Sequence, residues 1–333
     1  MILIEERGRF RLKTPLRGVH SSYAEGITKY LDCLSYLFTL AKRKNEFEFI
    51  RTILRIRDLD SSWDALKNLK EVTDAVNKVK KVNKFDHQLV LHVHLFAYGL
   101  IIESTDLYEL MANLLNILDD QNFSVDNFPD DVTDGRPTPV PVWKKIEIIK
   151  AKAVTLNVEI PNFYEFVDFR LRNAIFHSEY AIDNSNIQIE RGNRIYSREE
   201  GHTLINKALA YYEVLVMLSD LHRARYSKPR TVRVARTSSL YFDRELSIKV
   251  KLIVRKDRGV IGFRDCFTKA QIRDGRRRSF LASFYPYERE MILRGDTFLP
   301  PSRVERANRL LDYFPNFLRA FLVKVLQRYY VNR

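Results

Sequence analysis

Arg172 and His177, with Asn173 beside the arginine and Tyr180 three residues past the histidine, form the run of this chain best equipped for chemistry. An arginine keeps its charge at any accessible pH and can hold a phosphate through two donors. A histidine side chain titrates near neutrality and can move a proton. In RNA the ribose 2′-hydroxyl is a nucleophile already present in the substrate. A protein that cleaves beside it need only supply proton transfer and charge stabilisation on the phosphoryl oxygens. Neither a covalent nucleophile nor a metal is needed for that reaction, and no cofactor is expected.

In a chain with 35 Arg and 7 His the spacing alone says little, so the surrounding elements carry the argument. Pro161-Asn162 followed by Glu165 reads as a helix start, with Asn162 as the cap and Glu165 reaching back to it. Phe163, Phe166, Val167, Leu171 and Ala174 then form an apolar stripe near helical period, which places the motif on the C-terminal half of a buried helix. Turn residues around the alternating Ile187 and Ile189 predict a short hairpin within Ala181 to Tyr196. A second amphipathic helix is expected from about Glu199 to Tyr226. Arg170 also fits as the motif arginine. At roughly 100° per residue it lies within about 20° of His177 around a helix, whereas Arg172 lies about 140° away. The Asn after Arg172 favours Arg172, and Arg170 is kept as an auxiliary phosphate contact.

The run R-N-x-x-x-H-x-x-Y at Arg172, Asn173, His177 and Tyr180 resembles the HEPN superfamily. These are small helical domains in which an arginine and a histidine four to six residues apart form a metal-independent ribonuclease site. The resemblance spans about Phe85 to Tyr226 and is specific only in that short run. It implies a homodimer with a composite active site, two motifs facing across the interface, and cleavage that leaves a 2′,3′-cyclic phosphate. Some members of the superfamily bind nucleotides or act as scaffolds without cleaving, so fold and activity are argued separately.

Charge supplies the second functional signal. The net charge is +14, yet Met1 to Arg225 balances at −1 while Tyr226 to Arg333 carries +15, with 19 Arg to 6 Lys. Planar guanidinium groups fork onto phosphates and stack on bases. Arg273, Arg276, Arg277 and Arg278, followed by Phe280, Phe284, Tyr285 and Tyr287, interleave cations with aromatic faces as single-stranded nucleic-acid surfaces do. RNA is the expected partner, with an ordinary solvated basic surface as the plainer alternative. Cys33 and Cys266 stand far apart in apolar segments, which points to buried thiols in a reducing compartment. The N-terminus lacks an export pattern, and no stretch reaches the roughly 20 apolar residues that span a bilayer. A cytoplasmic protein with no membrane partner is expected.

The pattern along the chain predicts a mainly α protein in three parts. Residues 1–84 form an N-terminal helical region after an extended lead of Ile2 to Leu12. A capping box at Ser22 to Glu25 starts its first helix, and Phe47 to Leu54 make a second. Trp63 to Val79 mark a third. Residues 85–226 form the HEPN-like catalytic domain, beginning with one long helix or two in line over Phe85 to Asp119. His87, His92 and His94 lie on that segment, where a His-x-His pair on a helix points about 200° apart and suits packing better than a metal. Residues 119–142 are an acidic, Pro-rich loop, read as a surface loop, a regulatory segment or a partner-binding element. Trp143, Ile146, Ile149 and Ala153 resume a helix. Residues 227–333 form a smaller basic α+β domain for RNA binding or dimerisation. Its strand from Leu246 to Val254 shows Lys249 and Lys251 on one face and turns at Asp257-Arg258-Gly259 into Val260 to Phe263. A capping box at Ser302 and Glu305 precedes two terminal helices divided by Pro315.

The function expected from these features is that of a metal-independent endoribonuclease: a toxin, an antiviral defence protein or an RNA-processing factor. A regulatory partner protein, one that modifies the Tyr180 hydroxyl for instance, fits a toxin. The rival reading is a non-catalytic nucleic-acid-binding protein or scaffold in which the motif serves packing or dimerisation.

Overall fold

A computed structural model of the chain describes residues 3–6, 8–54, 71–72, 74–75, 87–124, 127–133, 136–190, 193–233, 249–256 and 259–266, and short strands within 279–299. It is predominantly helical with small antiparallel sheets. The third predicted helix lies largely outside the described residues. So do the arginines from Arg273 to Arg278, the Ser302 capping box and the two terminal helices. The chain divides into two compact units. The first comprises Met1–Ala41, Trp63–Asp119 and Ser124–Ser219; the second comprises Lys42–Ser62, Asp120–Phe123 and Asp220–Arg333.

In the first unit, strands β1 (Leu3–Glu6) and β2 (Arg9–Leu12) form the extended lead as a hairpin, fixed to helix α1 (Ser21–Lys44). Phe10 N–H donates to Ser35 Oγ at 2.9 Å, and Arg9 pairs with Asp32. The predicted capping box at Ser22 is displaced, because α1 begins at Ser21 and the His20 ring supplies the cap, accepting from Ser22 N–H at 3.3 Å. Gly26 lets α1 meet the long helix α7 (Arg198–Ala224): a Cβ at residue 26 would stand 2.8 Å from Ala210 Cβ. Helix α7 opens on a capping box that the residue pattern had not singled out, with Ser197 N–H donating to Glu200 and Glu200 N–H donating to Ser197 Oγ.

The long apolar segment is two helices, α3 (His87–Glu103) and α4 (Thr105–Leu118), broken at Ser104, whose ψ of 103° is extended. His94 is buried and His92 exposed, as opposite faces of one helix require. The polar side of α4 then holds the first part of the acidic loop. Asn113 accepts from Ser124 N–H at 2.7 Å and donates to its carbonyl at 2.9 Å, while Glu109 accepts from the backbone of Asn127 at 3.1 Å. The loop continues as the short hairpin β3 (Asp131–Thr133) and β4 (Arg136–Thr138) into α5 (Val142–Thr155). Ile146, Ile149 and Ala153 face inward as predicted. Trp143, however, is 53% exposed, and Val142 takes the buried position.

The segment before the motif lies at the centre of this unit's core. Phe163 and Phe166 pack with Tyr30, Tyr108 and Tyr211, with ring centroids 4.9 to 5.9 Å apart. Asn162 caps only a 3₁₀ turn, Phe163–Glu165, and Glu165 pairs with Lys29 instead of closing a capping box. The motif helix α6 (Phe169–His177) is separate and capped by Asp168. The predicted hairpin is a three-stranded meander of β5 (Tyr180–Asp183), β6 (Asn186–Ile189) and β7 (Arg194–Tyr196).

In the second unit, α2 (Glu46–Leu54) contacts β8 (Thr231–Arg233), which pairs with β9 (Lys249–Arg255), itself paired with β10 (Gly259–Cys266). The fully buried Glu48 accepts from Phe123 N–H and from Arg51, both at 2.9 Å. The hairpin predicted at residues 257–259 is the β9–β10 pair.

Candidate active site and basic sheet face

Helix α6 is fixed from its N-terminus. Asp168 Oδ1 accepts from Arg170 N–H at 2.9 Å and Leu171 N–H at 3.0 Å, and its other oxygen accepts from the Tyr196 hydroxyl at 2.9 Å. The Tyr98 hydroxyl accepts from Asp168 N–H and donates to Phe166 carbonyl, each at 2.9 Å. These groups satisfy the backbone where a continuous helix would have used its own bonds, which is why the helix restarts here. Leu171, Ala174 and Ile175 face the core. Arg170, Asn173, Phe176 and His177 are exposed, and Arg172 is half-buried at one flank of that open face.

The side chain of Arg172 is held on two sides. One terminal nitrogen donates to Asn173 Oδ1 and the other pairs with Glu103 at the end of α3. Burial lowers its pKa from the usual arginine value, but an arginine so shifted is still a cation at neutral pH. Its Nε has no hydrogen-bond partner among the described residues. His177 ends the helix in the open, and Ser178 follows at φ 55°, a left-handed turn that swings the chain into β5. Tyr180, half-buried, shares a 2.9 Å hydrogen bond with His92 Nδ1. Burial raises the pKa of the Tyr180 hydroxyl, so it remains a neutral donor at physiological pH.

Three partners of the motif were not singled out as such in the sequence: Glu103, His92 and Gly99, all on α3. A Cβ at residue 99 would lie 3.2 Å from the Phe176 ring and 3.3 Å from Ile175, so glycine sets the close approach of α3 to α6. Residues 92, 96, 99 and 103 recur at helical spacing and mark one face of α3. That signal was available, but nothing in it names α6 as the neighbour. Phe96, on the same stripe, is 52% exposed and Phe176 is 42% exposed.

No known family, curated protein or solved structure matches this chain. The reading of the site therefore stands on its residues and their geometry.

In the second unit, Lys249 and Lys251 are exposed on β9 while Val250 and Leu252 are buried, the alternation expected of a half-buried strand. Arg233 on β8 stands directly opposite Lys249. Two cations opposed across a sheet repel each other, an arrangement that an anionic ligand would relieve. Cys33 is a buried free thiol whose pKa burial pushes up to about 12, which makes it inert. Among the described residues no helix is long and apolar enough to cross a membrane.

Proposed function

We propose that the exposed face of α6 is the centre of a metal-independent endoribonuclease of HEPN type. The observation that carries this reading is the division of α6: Leu171, Ala174 and Ile175 are in the core, while Asn173, His177 and Arg170 face solvent and Arg172 flanks them. His177 transfers the proton, or donates to the cleaved phosphate. Arg172 stabilises the pentacovalent phosphorane, using donors not taken by Glu103 and Asn173. Asn173 keeps the guanidinium aimed, and Arg170 serves as an auxiliary phosphate contact. Tyr180, held by His92, donates a hydrogen bond to substrate. A single motif surrounds a phosphate poorly, so a second copy of the chain completes the site, and the exposed Phe96 and Phe176 offer apolar surface for it. RNA is held through Lys249, Lys251, Arg273, Arg276, Arg277 and Arg278. Toxin action, antiviral defence and RNA processing in the cytoplasm are the settings that suit such an activity.

One observation favours a second reading. An arginine paired with a glutamate of the neighbouring helix is also what simple helix packing produces, and in that case the protein binds nucleic acid without cutting it. The two readings separate on labelled RNA under single-turnover conditions. The nuclease reading expects wild-type cleavage and none from His177→Ala; RNA left intact by the wild-type chain supports the binding reading, and equal cleavage by both proteins refutes the role given to His177.

A further inference from the structure

In the second unit, strand register decides which residues share the open face of a sheet. Val232 on β8 and Val250 and Leu252 on β9 are buried, while Thr231, Arg233, Lys249 and Lys251 are exposed. Pairing with β10 extends the exposed positions into two cross-strand rows. One is Arg233, Lys249 and Cys266; the next is Thr231, Lys251 and Arg264. Four of these six positions hold cations and none holds an acid.

Residues directly opposed in a sheet stand about 5 Å apart, where like charges lower stability. Among the described residues Arg233, Lys249 and Lys251 have no carboxylate partner to offset that repulsion. A row of phosphates would supply the missing countercharge. Lys249 and Lys251 lie about 6.8 Å apart along β9, a step close to that between successive phosphates of an extended strand. The three strands together span about 10 Å, room for one sugar–phosphate backbone. Neither row contains an aromatic or a long aliphatic residue, so the face offers nothing to stack on bases and nothing to insert into lipid.

We infer that the open face of the β8–β10 sheet is a track for one strand of RNA, gripped at successive phosphates by Lys249 and Lys251, with Arg233 and Thr231 as flanking donors. Contacts of this kind position a strand without reading its sequence. The service of this face as the substrate-holding surface rests on the ribonuclease reading. That reading also calls for a single strand, because attack of the 2′-hydroxyl in line with the leaving oxygen needs a backbone free of duplex geometry.

Fluorescence anisotropy of the full chain over a KCl series, with labelled oligo(U) and oligo(A) of equal length, tests the track. Replacing Arg233, Lys249 and Lys251 together with Ala should flatten the log-log salt slope by about two units, at about 0.7 per phosphate contact, and equally for both oligonucleotides. Arg233→Glu places a carboxylate opposite Lys249, so it should leave the melting temperature unchanged or raise it while weakening RNA binding. A residue that only shapes the sheet would move both together. Unlabelled RNA duplex of equal length should compete less well than the single strand. An unchanged slope in the triple variant, or unchanged RNA affinity in a folded Arg233→Glu protein, overturns the assignment. So does a loss confined to one oligonucleotide, equal competition by the duplex, or binding to phosphatidylserine vesicles that the triple variant loses while it keeps its RNA affinity. A chain that binds RNA as described but leaves it whole contradicts the ribonuclease reading and supports the track. Wild-type cleavage with an unchanged slope in the triple variant contradicts the track alone.

Discussion

His177 sits at the open end of α6, and the groups around it determine what its replacement does. Because it is exposed, His177→Ala is expected to abolish cleavage while leaving thermal stability and RNA affinity nearly unchanged, as measured by single-turnover assay, melting and fluorescence anisotropy. Glu103 offers a sharper test of what Arg172 is for. The pair is partly exposed, so its loss should change stability by less than about 1 kcal/mol. If Arg172 receives a phosphate, the Glu103 carboxylate repels that phosphate. Glu103→Gln should then tighten RNA binding by about two- to fivefold, a change in keeping with a charge contribution of that size. An arginine that only packs α6 on α3 predicts no change in RNA affinity. Arg172, Asn173, His177 and Tyr180 could be picked out from the residues alone because they lie in one local run. Glu103 and His92 could not, because their roles depend on which helix packs beside α6. The His92 to Tyr180 contact joins residues 88 apart, and no local spacing encodes such a contact.

The elements that hold the site depend on a few buried groups. Phe166 is fully buried against Tyr30 and Tyr211 one turn before the motif helix, and Phe166→Ala should cost about 3–5 kcal/mol, a large share of the stability of a typical domain. Asp168→Ala removes the cap of α6 and the Tyr196 bond together, so a loss of about 1–2 kcal/mol is expected, read as a lower denaturation midpoint. In the second unit, His222 near the end of α7 is 1% exposed and packs edge-on to Phe49. Burial, with smaller contributions from the charges of Lys42 and Arg225, lowers its pKa to about 3. The unfolded chain takes up a proton near pH 6.5 that the folded chain refuses until about pH 3. Stability should therefore fall as pH drops through that window, and His222→Gln should flatten the slope of a urea-denaturation series across it. Most helices were legible from apolar period, including α1, α2, α5 and α7. The restart at Asp168 was not, because Asn162 and Glu165 spell a plausible capping box, and the local cap by the Asp168 side chain is joined by tertiary bonds from Tyr98 and Tyr196 that no local spacing encodes. The acidic loop carries no helical pattern, and its attachment comes from Asn113 and Glu109, polar residues of α4 whose partners lie beyond it in sequence.

At the scale of the whole molecule the strongest sequence signal is the +15 balance of Tyr226 to Arg333. Each neutralised phosphate releases counterions, so RNA affinity should fall steeply with salt, with a log-log slope of about −0.7 per contact for single strands. Replacing Arg276, Arg277 and Arg278 with Ala should flatten that slope by up to about two units while changing the chemical step little, as anisotropy over a KCl series would show. An unchanged slope would place the RNA path elsewhere. The composite site predicts a dimer, and a strict monomer in light scattering that still cuts RNA at low concentration would defeat it. The charge asymmetry was plain from composition, since it needs only a count of residues. Which cations share a face needed the β8–β9 register that sets Arg233 opposite Lys249. The central claim is that an arginine and a histidine on α6 cut RNA by in-line attack of the 2′-hydroxyl without a metal. Incubating the wild-type chain with a mixed RNA pool in EDTA and identifying the new ends tests it most directly. The account predicts 2′,3′-cyclic phosphate and 5′-hydroxyl ends; an intact pool, or ends bearing a 3′-hydroxyl and a 5′-phosphate, would contradict it.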